Sequence, residues 1–171
     1  MKSTVRNTLA AASLLFAINA QADHLAEMPS GDYVLDKTHA YLTFSYSHLG
    51  FSSPQVGFRS FDANLMLDNE NVENSSVEVV IDTASIDSRL DEFNDHLNGK
   101  NFFDTANFPK ATFKSTGVKA MSDEKLMITG DLTVKDVTKP VVLNATLNKA
   151  AMHPMRKVQA LGFSAQTKIK R

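Results

Sequence analysis

The 171-residue sequence has no cysteine and no tryptophan. Without cysteine there can be no disulfide, no iron–sulfur cluster and no thiolate chemistry. Stability must therefore come from burial and strand pairing. Excess charge is also lacking: 18 Lys and Arg stand against 19 Asp and Glu, with no basic block. Such a surface offers nothing to nucleic-acid phosphates. No HExxH, His-x-x-x-His or G-x-S-x-G pattern occurs, and there is no internal repeat or low-complexity tract. These absences remove the metalloprotease, zinc-helix and nucleophile-elbow readings.

What is present begins with a leader. Lys2 and Arg6 give a positive start, Thr8 to Ile18 is mostly apolar, and Ala20-Gln21-Ala22 has the small-x-small form of a cleavage site. Residues 1–22 therefore read as a secretory signal peptide, too short and wrongly flanked for a membrane span. No cysteine follows to carry a lipoprotein anchor. The 171 residues less the 22 of the leader leave 149, enough for one domain with a real core at 23–171. Lys2 and Arg6 go with the leader, so 16 basic groups face 19 acidic ones, a formal charge of −3. The simplest address is the periplasm of a Gram-negative bacterium.

The clearest pattern is Leu126 to Leu147. Leu126, Ile128, Gly130, Leu132 and Val134 alternate with Met127, Thr129, Asp131 and Thr133. The alternation resumes at Val141, Leu143, Ala145 and Leu147, after a connection read as Lys135 to Pro140. Period two over such a length means strands with one apolar face, here an antiparallel hairpin. Shorter strands are expected at Tyr33–Leu35, from Tyr41 through Tyr46, at Phe61–Leu67, Val77–Ile81 and Ala111–Ser115, and from Val158 to Ile169. Asp23 to Gly31 reads as a polar surface lead, and Leu49 to Gly57 as a bend or bulge. One helix is legible, with Ser88 and Asp91 as a capping pair, Leu90, Phe93 and Leu97 as its apolar stripe, and Gly99 as terminator. The fold class is all-β, about eight antiparallel strands with one short helix, and long one-sided neighbouring strands suit a curled sheet or a barrel with an apolar interior.

The five histidines form no metal-binding pattern. His39 and His48 stand roughly 30 Å apart along an extended strand. His96 has Glu92 four residues before it on one helical face, while His24 and His153 lie in turn-like surroundings. The inward apolar face suits a packed core or a ligand cavity equally, since eight-stranded barrels do either. Small residues in the inward phase (Ala63, Gly130, Ala145 and Ala165) and the lack of tryptophan lean toward gaps.

Several blocks together are similar to a known family. Asp36-Lys37-Thr38-His39-Ala40 and His48-Leu49-Gly50-Phe51-Ser52 resemble the opening of the YceI family. Val79 to Asp82 through Ala84 to Asp87, His96-Leu97, Phe102-Phe103-Asp104, Phe108 to Thr116, Ile128 to Val134, Val137 to Val141 and Gly162 to Ala165 continue the resemblance in order. It implies a bacterial periplasmic, lipocalin-like barrel whose apolar tunnel holds a polyisoprenoid, such as a polyprenyl phosphate or a quinone. Two departures stand out. Phe93 and Asn94 occupy positions where similar proteins carry Arg and Asp. The pattern also stops at Ile169-Lys170-Arg171, where the family continues, so the final closing strand is expected to be lacking, with an open seam near Tyr41 to His48.

On this reading the protein binds or carries an amphipathic isoprenoid-type lipid and is not an enzyme, with no cofactor, metal, nucleic-acid partner or membrane span. The tunnel lining is expected from Leu42, Phe44, Phe61, Leu65, Val79, Phe113, Ile128, Leu132, Leu143 and Phe163. Two alternatives stay open: an enzyme or stress-response factor acting on a small apolar substrate with His48 or His96 as base, and a barrel with a packed core that holds no lipid.

Overall fold

A computed structural model describes residues 25–170; the leader read at 1–22 lies outside the described residues. Ten strands and one helix form: β1 Gly31–Val34, β2 Leu42–Ser45, β3 Gln55–Phe58, β4 Phe61–Leu67, β5 Ser76–Asp82, β6 Ile86–Asp87, α1 Asp91–Asn98, β7 Lys110–Ala120, β8 Lys125–Val134, β9 Val137–Met152 and β10 Gln159–Gln166. They make a seven-stranded antiparallel sheet in the order β1-β4-β5-β7-β8-β9-β10 and a three-stranded sheet β2-β3-β6. The long hairpin read from period two is β8 and β9, paired from Lys125↔Thr146 to Val134↔Val137.

The large sheet is curled. β1 and β10 are its opposite edges, yet Tyr33 and Leu161 pack on one cluster of Leu25, Met28, Leu67, Leu126, Ala145 and Leu147. Two irregularities help the bend: the register shifts between Ser115 and Gly117 in β7 and between Gly162 and Phe163 in β10. Bulges of this kind raise the local twist and let a sheet turn. β1 and β10 do not pair with each other among the described residues, and the outer edges of β10 and β2 carry no strand.

The small sheet comes from one broken hairpin. β4 pairs with β5 through Phe61↔Ile81, and β3 pairs with β6 through Phe58↔Ile86. Between these pairs one arm spends Arg59 and Ser60, and the other a 3-10 turn over Thr83–Ser85. The longer inner arm makes a corner, and the two halves join different sheets. Thr83 pins the corner. It is 1% exposed, its hydroxyl donates to the Phe108 carbonyl at 2.7 Å, and its N–H donates to the Pro109 carbonyl.

Four local expectations are revised. Within the stretch read as a surface lead, Leu25 and Met28 are 4% and 3% exposed and stop one end of the curled sheet, while the described residues around them are exposed. They are three residues apart in a turn closed by the Met28 N–H on the Leu25 carbonyl, so both face inward. The stretch read as a bend contains β3. The β8–β9 connection is only Lys135 and Asp136, with Lys135 at φ 59°, so Val137 to Pro140 belong to the strand. Asp91 does not pair with Ser88 as a cap; the Ser88 N–H and hydroxyl both donate to Asn94 Oδ1 at 2.7 Å.

Gly130 is also not a gap. A Cβ at this position would lie 2.5 Å from both the Lys114 carbonyl oxygen and Phe113 Cζ, so the Phe113 ring already occupies the space above it. Gly130→Leu is therefore expected to cost about 1–3 kcal/mol by overpacking, read as a lower urea midpoint at unchanged slope. A wild-type midpoint would show that the ring moves aside freely. Met28→Ala, which unstops the end of the sheet, is expected to cost about 2–5 kcal/mol in the same titration. A loss near zero would show that the stopper contributes nothing to folding.

Candidate functional site: the inner face of the curled sheet

Eight of the ten lining candidates share one concave face. The register places Ala63, Val79, Phe113 and Leu132 directly beside one another across four strands. Phe61 stands opposite Ile81, Leu65 opposite Val77 and Tyr33, Ile128 opposite Leu143, and Phe163 opposite Leu147. Directly opposed residues point to the same side of a sheet, so these rows form a continuous apolar wall. Phe113 is buried, whereas Phe61, Leu65, Val79, Ile128, Leu132 and Leu143 are half-buried and Phe163 is 36% exposed. A solid core would bury them all. This wall is concave, apolar and partly uncovered.

The other two candidates sit on the small sheet. Leu42 and Phe44 lie in β2, and Phe44 packs against Phe58 and Phe103 with ring centroids 5.9 and 6.1 Å away. Phe58 and Phe103 meet edge to face at 5.6 Å. These rings surround Val56, Ile86 and Leu97, the last being the buried residue of α1. Val56 and Phe58 were not singled out by sequence, because no alternating run announces them, and Phe103 entered only through the family resemblance.

The wall is set among ordinary surface pairs. Its outer side carries Lys37–Asp62 and Lys114–Glu78 ion pairs, each at 2.7 Å and well exposed. A groove of about 450 Å³ also opens on this outer side, between Val34, Lys37, Asp62, Asn64, Glu78 and Val80. The sheet itself separates it from the apolar wall. Such exposed pairs contribute little to stability. On the inner side, burial raises the Tyr33 phenol above its usual range, and its hydroxyl donates to the Pro29 carbonyl at 2.8 Å.

The described histidines have local partners. His39 Nδ1 lies 3.0 Å from Asp36 Oδ2. His48 closes the β2–β3 turn through its N–H on the Ser52 carbonyl. His96 lies between the rings of Phe93 and Phe102, at 6.2 and 4.7 Å. His153 Nδ1 accepts from the N–H groups of Met155 and Arg156 in the β9–β10 turn. Among the described residues, no three His, Cys, Asp or Glu side chains gather as a metal would require. No described helix is long and apolar enough to cross a membrane.

Asp36 joins distant parts of the chain. It accepts from the Thr38 hydroxyl at 2.6 Å and the Thr38 N–H, meets His39, and reaches Arg156 of the β9–β10 turn at 3.3 Å. The Thr38 hydroxyl above all, then His39, hold its carboxyl far below the usual carboxylate range. A carboxyl depressed in the folded state contributes stability that is full above its unfolded pKa and is lost as pH falls toward the folded value. Asp36→Asn is thus expected to lower the urea midpoint at about pH 6, with the difference from wild type shrinking toward about pH 2. A difference that stays constant over that range would exclude an ionised Asp36 as its source.

Comparison with known proteins places this geometry in context. The model of the YceI-like domain family matches residues 33–171. A UPF0312 protein of Azotobacter vinelandii is 39% identical over 97% of this chain and 85% of its own length. Protein YceI of Escherichia coli O6:H1 is 40% identical over 93% of this chain and 80% of its own length. Among solved structures, the YceI protein of Campylobacter jejuni superposes with a TM-score of 0.63 at 29% identity, covering 78% of this chain and 77% of that one. A domain of Saccharophagus degradans described as polyisoprenoid binding superposes at 0.51 with 15% identity, over 75% and 80% of the two chains.

Proposed function

The chain belongs to the YceI-like domain family, and from that premise we propose that it is a periplasmic carrier for an amphipathic isoprenoid-type lipid, a polyprenyl phosphate or a quinone, held non-covalently on the inner face of the curled sheet. The observation that carries this reading is the row Ala63, Val79, Phe113 and Leu132 with its half-buried neighbours. A branched hydrocarbon chain is the complement of such a wall. Burying one five-carbon isoprene unit is worth up to ~4 kcal/mol at about 0.8 kcal/mol per methylene. Ordering of the chain and imperfect fit offset much of that, so a few units suffice for firm binding. The description of the Saccharophagus domain as polyisoprenoid binding supports the ligand class by analogy of fold. The periplasmic address rests on Lys2, Arg6, the apolar run and Ala20-Gln21-Ala22.

Binding fits the wall better than turnover does. Its side chains are hydrocarbon, and His48 and His96 are held in a turn and in a surface ring stack. A lipid nearly insoluble in water needs such a carrier to cross an aqueous compartment. Organic extraction of protein purified mildly from the native periplasm, followed by mass spectrometry, is expected to yield a long-chain isoprenoid near one per protein. Recovery of no organic species, or of detergent alone, would overturn the proposal.

A further inference from the structure

We infer that the lipid's head group is anionic and is held by Lys139 at the end of the apolar wall. This deepens the isoprenoid-carrier reading above and rests on it. The short β8–β9 connection places Lys139 inside β9, directly opposite Leu132. Leu132 is opposite Phe113, Phe113 opposite Val79, and Val79 opposite Ala63. A single cross-sheet row thus runs through four apolar residues and ends in an ammonium group. Lys139 shares its side of β9 with Val141 and Leu143, while Asp131, opposite Pro140, faces the other way.

Nothing among the described residues pairs with this charge. Lys139 is exposed and makes no ion pair among the described residues. Its neighbour in the same hairpin behaves differently. Lys135 Nζ donates to the carbonyls of Phe102 and Lys100 at 3.0 and 3.3 Å, and lies 5.6 Å from the centre of the Phe108 ring. Lys135 is a structural tie, and Lys139 is a cation left for a ligand. The other end of the sheet is stopped by Leu25 and Met28, so a hydrocarbon tail on this wall points its head toward Lys139. β10 covers β9 only from Asn144 to Met152, which leaves the Lys139 stretch open on that side among the described residues. A lysine can lie along apolar surface and keep its ammonium in water, and a phosphate there forms a charge-assisted bond.

The test compares geranylgeranyl monophosphate with geranylgeraniol, which share a tail and differ in charge, by displacement of a fluorescent lipid from the full chain. Wild type is expected to bind the phosphate at least about tenfold more tightly, equivalent to about 1.4 kcal/mol, with the gap narrowing in high salt. Lys139→Gln is expected to abolish the preference and leave the alcohol's affinity unchanged, and Lys139→Arg to retain it. Equal affinity of wild type for both lipids, or a preference that survives Lys139→Gln, would overturn this inference and leave the carrier reading intact. Binding of neither lipid would overturn both.

Discussion

A sheet whose strands all put their apolar side chains on one face must remove that face from water, and this constraint shapes the whole protein. The seven-stranded sheet meets it by curling until Tyr33 and Leu161, from opposite edges, pack on the same cluster. Curling needs places where the backbone can bend. The register shift at Ser115 to Gly117 lies beside Gly130, which carries no Cβ because the Phe113 ring and the Lys114 carbonyl occupy that position. The bend, the glycine and the buried ring form one device. It closes the middle of the wall while the regions on either side stay half open.

The two ends of the wall are treated differently. At one, Leu25 and Met28 complete a core of leucines. At the other, the broken hairpin turns away at Thr83 and builds the small sheet, where the rings of Phe44, Phe58 and Phe103 lie with Leu97 of α1. Aromatic rings packed at these separations form a rigid block. The half-exposed residues therefore lie between two well-packed bodies. That arrangement lets a trough persist where an unsupported apolar face would collapse, since side chains fixed in packed clusters have little freedom to fill it.

Most of this was legible where one physical signal dominated. Period two located β4, β5, β8, β9 and β10, and eight lining candidates share one face, because long one-sided strands leave few alternatives. Short strands carry no such signal. β6 has two residues and β3 has four, and each exists because a corner hands it to a partner rather than because of its own pattern. Lys135 adopts a positive φ without being Gly or Asn, so nothing in the sequence announced a two-residue turn. Pro140 made the connection look longer and hid Lys139 in it. Pro is tolerated there because β10 starts pairing with β9 only at Asn144, which leaves that part of the strand at an edge. Leu25 and Met28 were missed because two apolar residues in a polar segment look like a lead until a curled sheet provides a space for them.

Phe93 and Asn94, both within α1, meet the needs of its first turns without an ion pair. Asn94 accepts twice from Ser88, so the segment entering the helix is fixed without a carboxylate. The phenylalanine cannot form an ion pair, and it lies instead against His96, whose other neighbour is the Phe102 ring. These ring contacts lie at the surface, while the buried anchor of the helix is Leu97. The position of α1 is therefore set by its apolar side. The aromatic block beneath the helix holds this end of the wall in place.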